Sequence, residues 1–192
     1  MVFLPRKNLK AQEECRTIVE SEVLRFGFSI YGWRQVPVNP GVIGDIAADS
    51  RPEIEQILIA GDDGTSEEEF ECKLFLIRKR IENAVTAQAI NDFYICSLSG
   101  RSLIYKGLFK AEQLTEFYPD LLDVRFLSSY AIFHQRFSTN TAPAWHLAQP
   151  FRVLAHNGEI NTLKGNMNFM KSHEATMSCP EFAGVEKDLR PV

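Results

Sequence analysis

The sequence predicts an α+β fold, in which helices pack as layers against β-sheet, and three observations lead to that class. Apolar runs of strand length alternate with segments whose apolar residues recur every three or four positions. Several runs are apolar throughout, which is typical of strands buried on both faces. The sequence has neither internal repeats nor low-complexity segments, so we expect one layered sandwich.

The first half of the chain contains the clearest elements. VFLP, FSIYGWRQVPVN and IEQILIAG predict strands. A helix is predicted from Asn8, a capping residue, to Phe26, where Gly27 can end it. A second helix is predicted to begin at Thr65 or Ser66, because acids follow them. Its apolar face comprises Phe70, Leu74, Ile77, Ile81 and Ala84.

The second half is more polar. FYICSLS and SLIYKGLF, separated by Gly100, predict a β-hairpin, and AEQLTEFYPDLL predicts a short helix or turn. YAIFHQRF and FRVLAHN predict strands that become polar at their C-terminal ends. NTLKGNMNFMKSHEA predicts a helix with Leu163, Met167 and Met170 facing inward.

Composition and charge exclude several classes of function. The 192 residues carry a net charge of −4, and the basic run 78–80 is predicted to be a solvated surface, so no nucleic-acid partner is expected. No apolar run approaches the roughly 20 residues that span a bilayer, and MVFLPRKNLK lacks the apolar core of a signal peptide. We therefore expect no membrane partner and a cytoplasmic location, with an organelle such as a plastid left open.

The four cysteines are Cys15, Cys72, Cys96 and Cys179. They are widely spaced, with no Cys-x-x-Cys pair and no histidine at ligand spacing. Buried thiols are therefore expected in preference to disulfides or a metal site.

The segment HQRFSTNTAPAWHLAQPFRVLAHNGEIN contains the candidate binding groups. No acid occurs between Asp123 and Glu159, so the guanidinium of Arg136 has no local partner and is suited to a ligand carboxylate. Asn157 and Gly158 can direct two donors at an oxyanion formed from an amide. An ordinary surface arginine and an ordinary Asn-Gly turn remain the alternatives.

The order of these motifs is more specific than any one of them. HQRFSTNT, APAWHLAQP, HNGEIN and TLKGN, with MVFLPR, GWRQVPV, IEQILI and the closing DLRPV, resemble the class II glutamine amidotransferase domain of the glutamate synthase large subunits. The resemblance covers nearly the whole chain, so residues 1–192 are expected to be part of one such domain. It implies a four-layer αββα sandwich of the N-terminal-nucleophile hydrolase type, incomplete at both ends.

The resemblance also implies roles for individual residues. Arg136 would hold the α-carboxylate of glutamine, and Asn157 and Gly158 would form the oxyanion hole. Thr139 and Asn140 stand where the family's substrate-pocket residues lie, and His134 is expected to support the end of a strand.

Two positions bear on the branch of the family. Phe137, counted with the substrate pocket, occupies a place that is tryptophan in the aminosugar-forming branch. Gln149 stands where that branch has histidine. Both residues indicate the glutamate synthase branch.

The implied reaction converts L-glutamine to glutamate and ammonia for transfer to 2-oxoglutarate, in ammonia assimilation and glutamate biosynthesis. The parent oxidoreductase would use FMN and an iron–sulfur cluster, neither of which is expected in this segment. Expected partners are L-glutamine and the remaining domains of a glutamate synthase. The electron donor and the oligomeric state are not determined by the sequence.

One departure from the family concerns the nucleophile. Class II enzymes use a cysteine at position 1 of the mature chain, whereas this sequence begins Met1-Val2 and its cysteines are internal. The isolated chain is therefore expected to be an inactive internal fragment. The alternatives are a non-catalytic glutamine-binding sensor and a scaffold that exposes a sheet edge.

Overall fold

A single antiparallel sheet forms the centre of the computed structural model, which describes residues 1–190. The strand order is β2-β3-β1-β4. The strands are β1 (Val2–Leu4), β2 (Ser29–Gln35), β3 (Glu53–Ala60) and β4 (Tyr94–Ile95). Phe3 in the central strand pairs with Ile54 on one side and Tyr94 on the other. The strands predicted from VFLP, FSIYGWRQVPVN and IEQILIAG are confirmed, within a mixed α and β fold.

Helices α1 (Leu9–Arg25) and α3 (Glu67–Ala87) pack together on one face of the sheet. The side chain of Asn8 caps α1 by accepting the Ala11 N–H at 3.0 Å, and Ser66 caps α3 by accepting the Glu69 N–H at 3.2 Å. Gly27 adopts a φ of +78°, which ends α1 at little steric cost. Both predicted helices are confirmed. Their shared core contains Ile18, Val19, Val23, Leu74, Ile77 and Ile81, with Ile57 of β3.

The opposite face of the sheet is covered by irregular chain and short helices. Phe3 and Ile54 pack there against Phe117, Tyr118 and Trp145. The remaining helices are α2 (Asp45–Asp49), α4 (Leu114–Phe117), α5 (Leu163–Glu174) and α6 (Glu186–Leu189), with single 3₁₀ turns at Pro40–Val42, Ala111–Gln113, Pro119–Leu122, Trp145–Leu147 and Pro180–Phe182. The helix or turn predicted from AEQLTEFYPDLL is therefore confirmed.

The predicted hairpin between FYICSLS and SLIYKGLF is wrong. Only Tyr94–Ile95 is a strand, because side chains satisfy the backbone groups that a ladder would have used. Ser99 Oγ accepts the N–H groups of residues 101 and 102 at 3.0 and 3.2 Å. Glu71 of α3 accepts the N–H of Gly100 at 2.6 Å, so the turn binds the helix and not a second strand.

Neither YAIFHQRF nor FRVLAHN forms the strand that its apolar pattern predicts, so both predictions are wrong. In FRVL, Phe151 and Leu154 exchange backbone hydrogen bonds of 2.8 and 2.9 Å around a turn in which Arg152 has a φ of +55°. YAIFHQRF is irregular, and Phe133 is 74% exposed. A strand needs a partner for its backbone groups, and no described segment pairs with either run.

Helix α5 is confirmed, but its predicted inward face is wrong. Leu163, Met167 and Met170 are 69%, 51% and 37% exposed, because no described segment covers them. The sequence of α5 is amphipathic, but its apolar face becomes buried only where another segment packs against it.

The basic run 78–80 is not the solvated surface that we predicted. Arg78 is only 8% exposed and stacks 4.9 Å from the Phe75 ring. Arg80 donates to the Asp188 carboxylate at 2.6 and 2.9 Å, and Phe75 stacks on Phe182 at 5.6 Å. The C-terminal segment thus lies along α3 and contacts the end of the run at Arg80, which local sequence could not indicate.

The prediction that the four thiols are buried is only partly confirmed. Cys15 and Cys96 are buried, Cys72 is half-buried, and Cys179 is exposed, against the expectation of burial. Each of the four is a free thiol. Cys179 follows α5 in chain that packs against α3 from outside, where nothing among residues 1–190 encloses its sulfur.

Candidate functional site

Two segments carry the candidate site, residues 134–140 and 156–159, and two side-chain hydrogen bonds join them. His134 Nε2 lies 2.8 Å from Asn157 Oδ1, and Asn140 Nδ2 donates to Glu159 Oε1 at 3.0 Å. Since the segments are about 20 residues apart, the sequence could place the groups on each segment but not this pairing. The structure thus brings the two halves of the predicted site together.

Arg136 lies between these two links and is exposed. Its guanidinium makes no hydrogen bond or ion pair with any other residue in the described part of the chain. Glu159, the nearest acid in sequence on the second segment, is engaged by Asn140. The planar fork of Arg136 is therefore available to an external carboxylate.

The donors at Asn157 and Gly158 are also available. When His134 is protonated at Nε2 it donates to Asn157 Oδ1, which leaves the Asn157 NH₂ group free to point elsewhere. The Gly158 carbonyl lies 2.9 Å from His156 Nδ1, whereas the Gly158 N–H has no partner within residues 1–190. A Cβ built at Gly158 would meet nothing within 4 Å, so this backbone is open to close approach.

Phe137 and His134 line a cavity of about 1040 Å³, whose wall also includes Leu58 of β3 and Phe70 of α3. Arg136, Thr139, Asn140, Asn157 and Gly158 lie outside its wall. A φ of +59° at Ser138 turns the chain between Phe137 and the exposed residues that follow. The geometry therefore separates Phe137, on the cavity side, from the polar candidates at the surface.

Residues 1–192 match the protein family described as "Glutamine amidotransferases class-II". The chain belongs to the class II glutamine amidotransferases. It is 64% identical over 191 residues to the large chain of an NADPH glutamate synthase from Azospirillum brasilense. It is also 43% identical over 192 residues to a chloroplastic ferredoxin-dependent glutamate synthase from Oryza sativa subsp. japonica. Both alignments cover this whole chain but only 13% and 12% of those relatives.

A third relative, the NADPH glutamate synthase large chain of Bacillus subtilis, is 42% identical over 196 residues, and again this chain spans 13% of it. The amidotransferase chain is thus similar to proteins about eight times as long.

Sequence reasoning missed one support of this amidotransferase segment. Gln149 exchanges two hydrogen bonds with the His156 backbone: its Oε1 accepts from the N–H at 2.8 Å, and its Nε2 donates to the carbonyl at 3.1 Å. Four residues earlier, Trp145 is 4% exposed and donates from Nε1 to the Ala47 carbonyl at 3.1 Å. Trp145 is the residue in the sequence that could have indicated this support, because it has a large ring and its indole N–H needs a hydrogen-bond partner when it is buried.

Three of the cysteines, Cys15, Cys96 and Cys179, are poorly suited to act as the nucleophile of the amidotransferase. Burial raises the pKa of the Cys15 thiol to about 11 and that of Cys96 to about 12, which disfavours the reactive thiolate. A hydrogen bond to Glu181 raises the pKa of Cys179. Within residues 1–190, no three His, Cys, Asp or Glu side chains converge as a metal site, and no helix is long and apolar enough to cross a membrane.

Proposed function

We propose that this chain supplies the binding groups of a glutaminase site, which hydrolyses L-glutamine to glutamate and ammonia within a glutamate synthase. One observation supports this most directly. The segments 134–140 and 156–159 are joined by two hydrogen bonds, while three donors remain free: the guanidinium of Arg136, the amide of Asn157 and the N–H of Gly158. A carboxylate clamp beside two oxyanion donors is what an amino-acid amide requires.

In this proposal each group acts at one point of the substrate. Arg136 holds the α-carboxylate, and Phe137, Thr139 and Asn140 form the pocket. A cysteine thiolate attacks the side-chain carbonyl, and the oxyanion then receives hydrogen bonds from Asn157 Nδ2 and the Gly158 N–H. The C–N bond breaks as the nitrogen takes a proton and leaves as ammonia, and water hydrolyses the thioester to release glutamate. The proposed nucleophile is a cysteine outside residues 1–192, so the isolated chain is expected to be inactive.

The wider context is part of the same proposal. Residues 1–192 are taken as a portion of an amidotransferase domain whose complete form is a four-layer αββα sandwich. The ammonia would pass to 2-oxoglutarate in glutamate biosynthesis, and FMN and the iron–sulfur cluster would be held by other parts of the longer oxidoreductase. The partners are L-glutamine and those further domains, in the cytoplasm or a plastid.

Glutamate and ammonia release by the longer polypeptide that contains this chain tests the proposal. Asn157→Ala is expected to lower kcat about 100-fold, because it removes one oxyanion donor. Arg136→Ala is expected to raise KM for glutamine, because it removes a contact made before the reaction. The matched control is Arg125→Ala, which removes an exposed arginine that pairs locally with Asp123 at 2.7 Å and should leave both constants unchanged. An unchanged KM in Arg136→Ala would refute the clamp.

Titration calorimetry of the 192-residue chain with glutamine separates the enzyme from the sensor. We expect no tight binding, since the proposed site is shared with chain outside this segment. Tight binding that is lost in Arg136→Ala would instead favour a glutamine sensor.

A further inference from the structure

Lys106 is a buried cation that pairs with no acid among residues 1–190. Its side chain is only 3% exposed, and Nζ donates to the His146 carbonyl at 2.8 Å. The ammonium lies 4.4 Å from the centre of the Tyr94 ring and 4.9 Å from that of Phe151. Removing an ammonium from water without a counter-ion is unfavourable, and the two aromatic faces offset part of that cost.

The backbone of Lys106 belongs to the rigid core. Tyr118, which is fully buried, donates its hydroxyl to the Lys106 carbonyl at 2.9 Å. Gly107 follows directly and lies so close to Trp145 that a Cβ there would be 2.4 Å from the indole. The His146 carbonyl belongs to the 3₁₀ turn that leads from the buried ring of Trp145 toward Gln149 and the candidate site. The ammonium is therefore a second tie, beside Trp145, between the core and this segment.

A chain of contacts leads from that loop to the candidate oxyanion hole. His146 is followed by Leu147, which is 41% exposed, then by Ala148, which is 2% exposed, and by Gln149. Gln149 fixes both backbone groups of His156 through hydrogen bonds of 2.8 and 3.1 Å. The His156 ring in turn lies 2.9 Å from the Gly158 carbonyl. Two of these steps are hydrogen bonds, and the other is the short stretch of chain from His146 to Gln149. None of them includes Arg136.

We propose that Lys106 is a positioning residue for the loop 156–158: its ammonium ties segment 146–149 to the core, and Gln149 transmits that constraint to His156 and Gly158. The catalytic consequence rests on the proposed function, because it requires Asn157 and Gly158 to form the oxyanion hole. The positional part does not, because it concerns only contacts within this chain. Lys106 and Gln149 also line the cavity that Phe137 and His134 line, so the tie and these two candidate residues border the same space.

Amide hydrogen exchange of the ¹⁵N-labelled 192-residue chain tests the positional part. In Lys106→Met, which keeps the length of the side chain and removes the donor, the His156 N–H is expected to exchange about tenfold faster. Lys110→Met, an exposed lysine in the same segment, is the matched control and should leave that rate unchanged. A folded Lys106→Met variant with wild-type exchange at His156 overturns the proposal.

A second variant covers the case in which Lys106→Met does not fold. Gln149→Met breaks the link to His156 at a half-buried position outside the helices and strands. It should accelerate His156 exchange to the same extent, and combining it with a folded Lys106→Met should add nothing, because the two act in series. Unchanged exchange in Gln149→Met, or full additivity, overturns the relay.

Kinetics of the longer polypeptide test the catalytic part. Lys106→Met is expected to lower kcat about 10- to 100-fold through misplaced donors, with KM for glutamine within about 3-fold of wild type. If Lys106 had a purely structural role, Lys106→Met would lower the folded fraction and leave kcat per folded molecule unchanged. That result would overturn the catalytic part of the proposal. If Arg136→Ala and Asn157→Ala are also without effect, the proposed function fails as well, whereas the exchange result stands by itself.

Discussion

Replacing Gly107 with alanine is expected to destabilise the protein by forcing two packed rings apart. A Cβ at this position would lie 2.4 Å from Trp145 Cζ3 and 2.5 Å from Phe109 Cε1. Carbon atoms in favourable contact are about 3.5 to 4.0 Å apart. Each ring would therefore have to retreat by about 1 Å or more.

The surroundings of Trp145 leave little room for that movement. The ring is 4% exposed and packs against Phe3 and Phe117, with ring centres 6.0 and 5.6 Å away. Overpacking a well-packed core costs about 1 to 3 kcal/mol, and the confinement on several sides places this case at about 2 to 3 kcal/mol. For a chain of this size that loss lowers Tm by roughly 4 to 12 °C.

Urea unfolding followed by tryptophan fluorescence measures the effect, since Trp145 reports on its own environment. Gly158→Ala is the matched control, because a Cβ there meets nothing within 4 Å, and its free energy of unfolding should stay within about 0.5 kcal/mol of wild type. If Gly107→Ala also stays within that range, the reasoning about Trp145 as the anchor of the site loop is refuted.

Two further predictions concern charges. Glu55 is 7% exposed and accepts hydrogen bonds from Arg16 at 2.5 and 2.9 Å. Glu55→Gln should therefore lower the free energy of unfolding, measured in urea, by about 2 kcal/mol. The control is Glu13→Gln, whose side chain is 76% exposed, and equal effects of the two substitutions would contradict this prediction. Burial lowers the pKa of Lys106 from 10.5 to about 8, so the folded chain releases this proton before the unfolded chain does. Stability relative to Lys106→Met should therefore rise between pH 8 and 10.5, by at most about 3 kcal/mol, and a constant difference in thermal unfolding would contradict it.

The success and failure of the strand predictions have a common physical cause. Strand β3 was predictable because its apolar run finds partners on both sides, β2 and β1. The run SLIYKGLF is equally apolar, but Ser97, Ser99 and Glu71 supply acceptors for nearby N–H groups and no ladder forms. The apolar pattern indicates which side chains become buried on folding. Whether a strand forms depends on which groups accept and donate the hydrogen bonds of the backbone N–H and C=O groups.

Local sequence was enough to predict the two long helices, since caps such as Asn8 and Ser66 and the apolar period act within a few residues. Ordered motifs, which are also local, were enough to indicate the family and to name the residues of the candidate site. The folded arrangement was needed to show that His134 contacts Asn157, that Gln149 binds His156, and that Arg78 and Lys106 are buried cations. The reason is that pairing and burial arise from whichever distant segment packs against a residue, which no local pattern records.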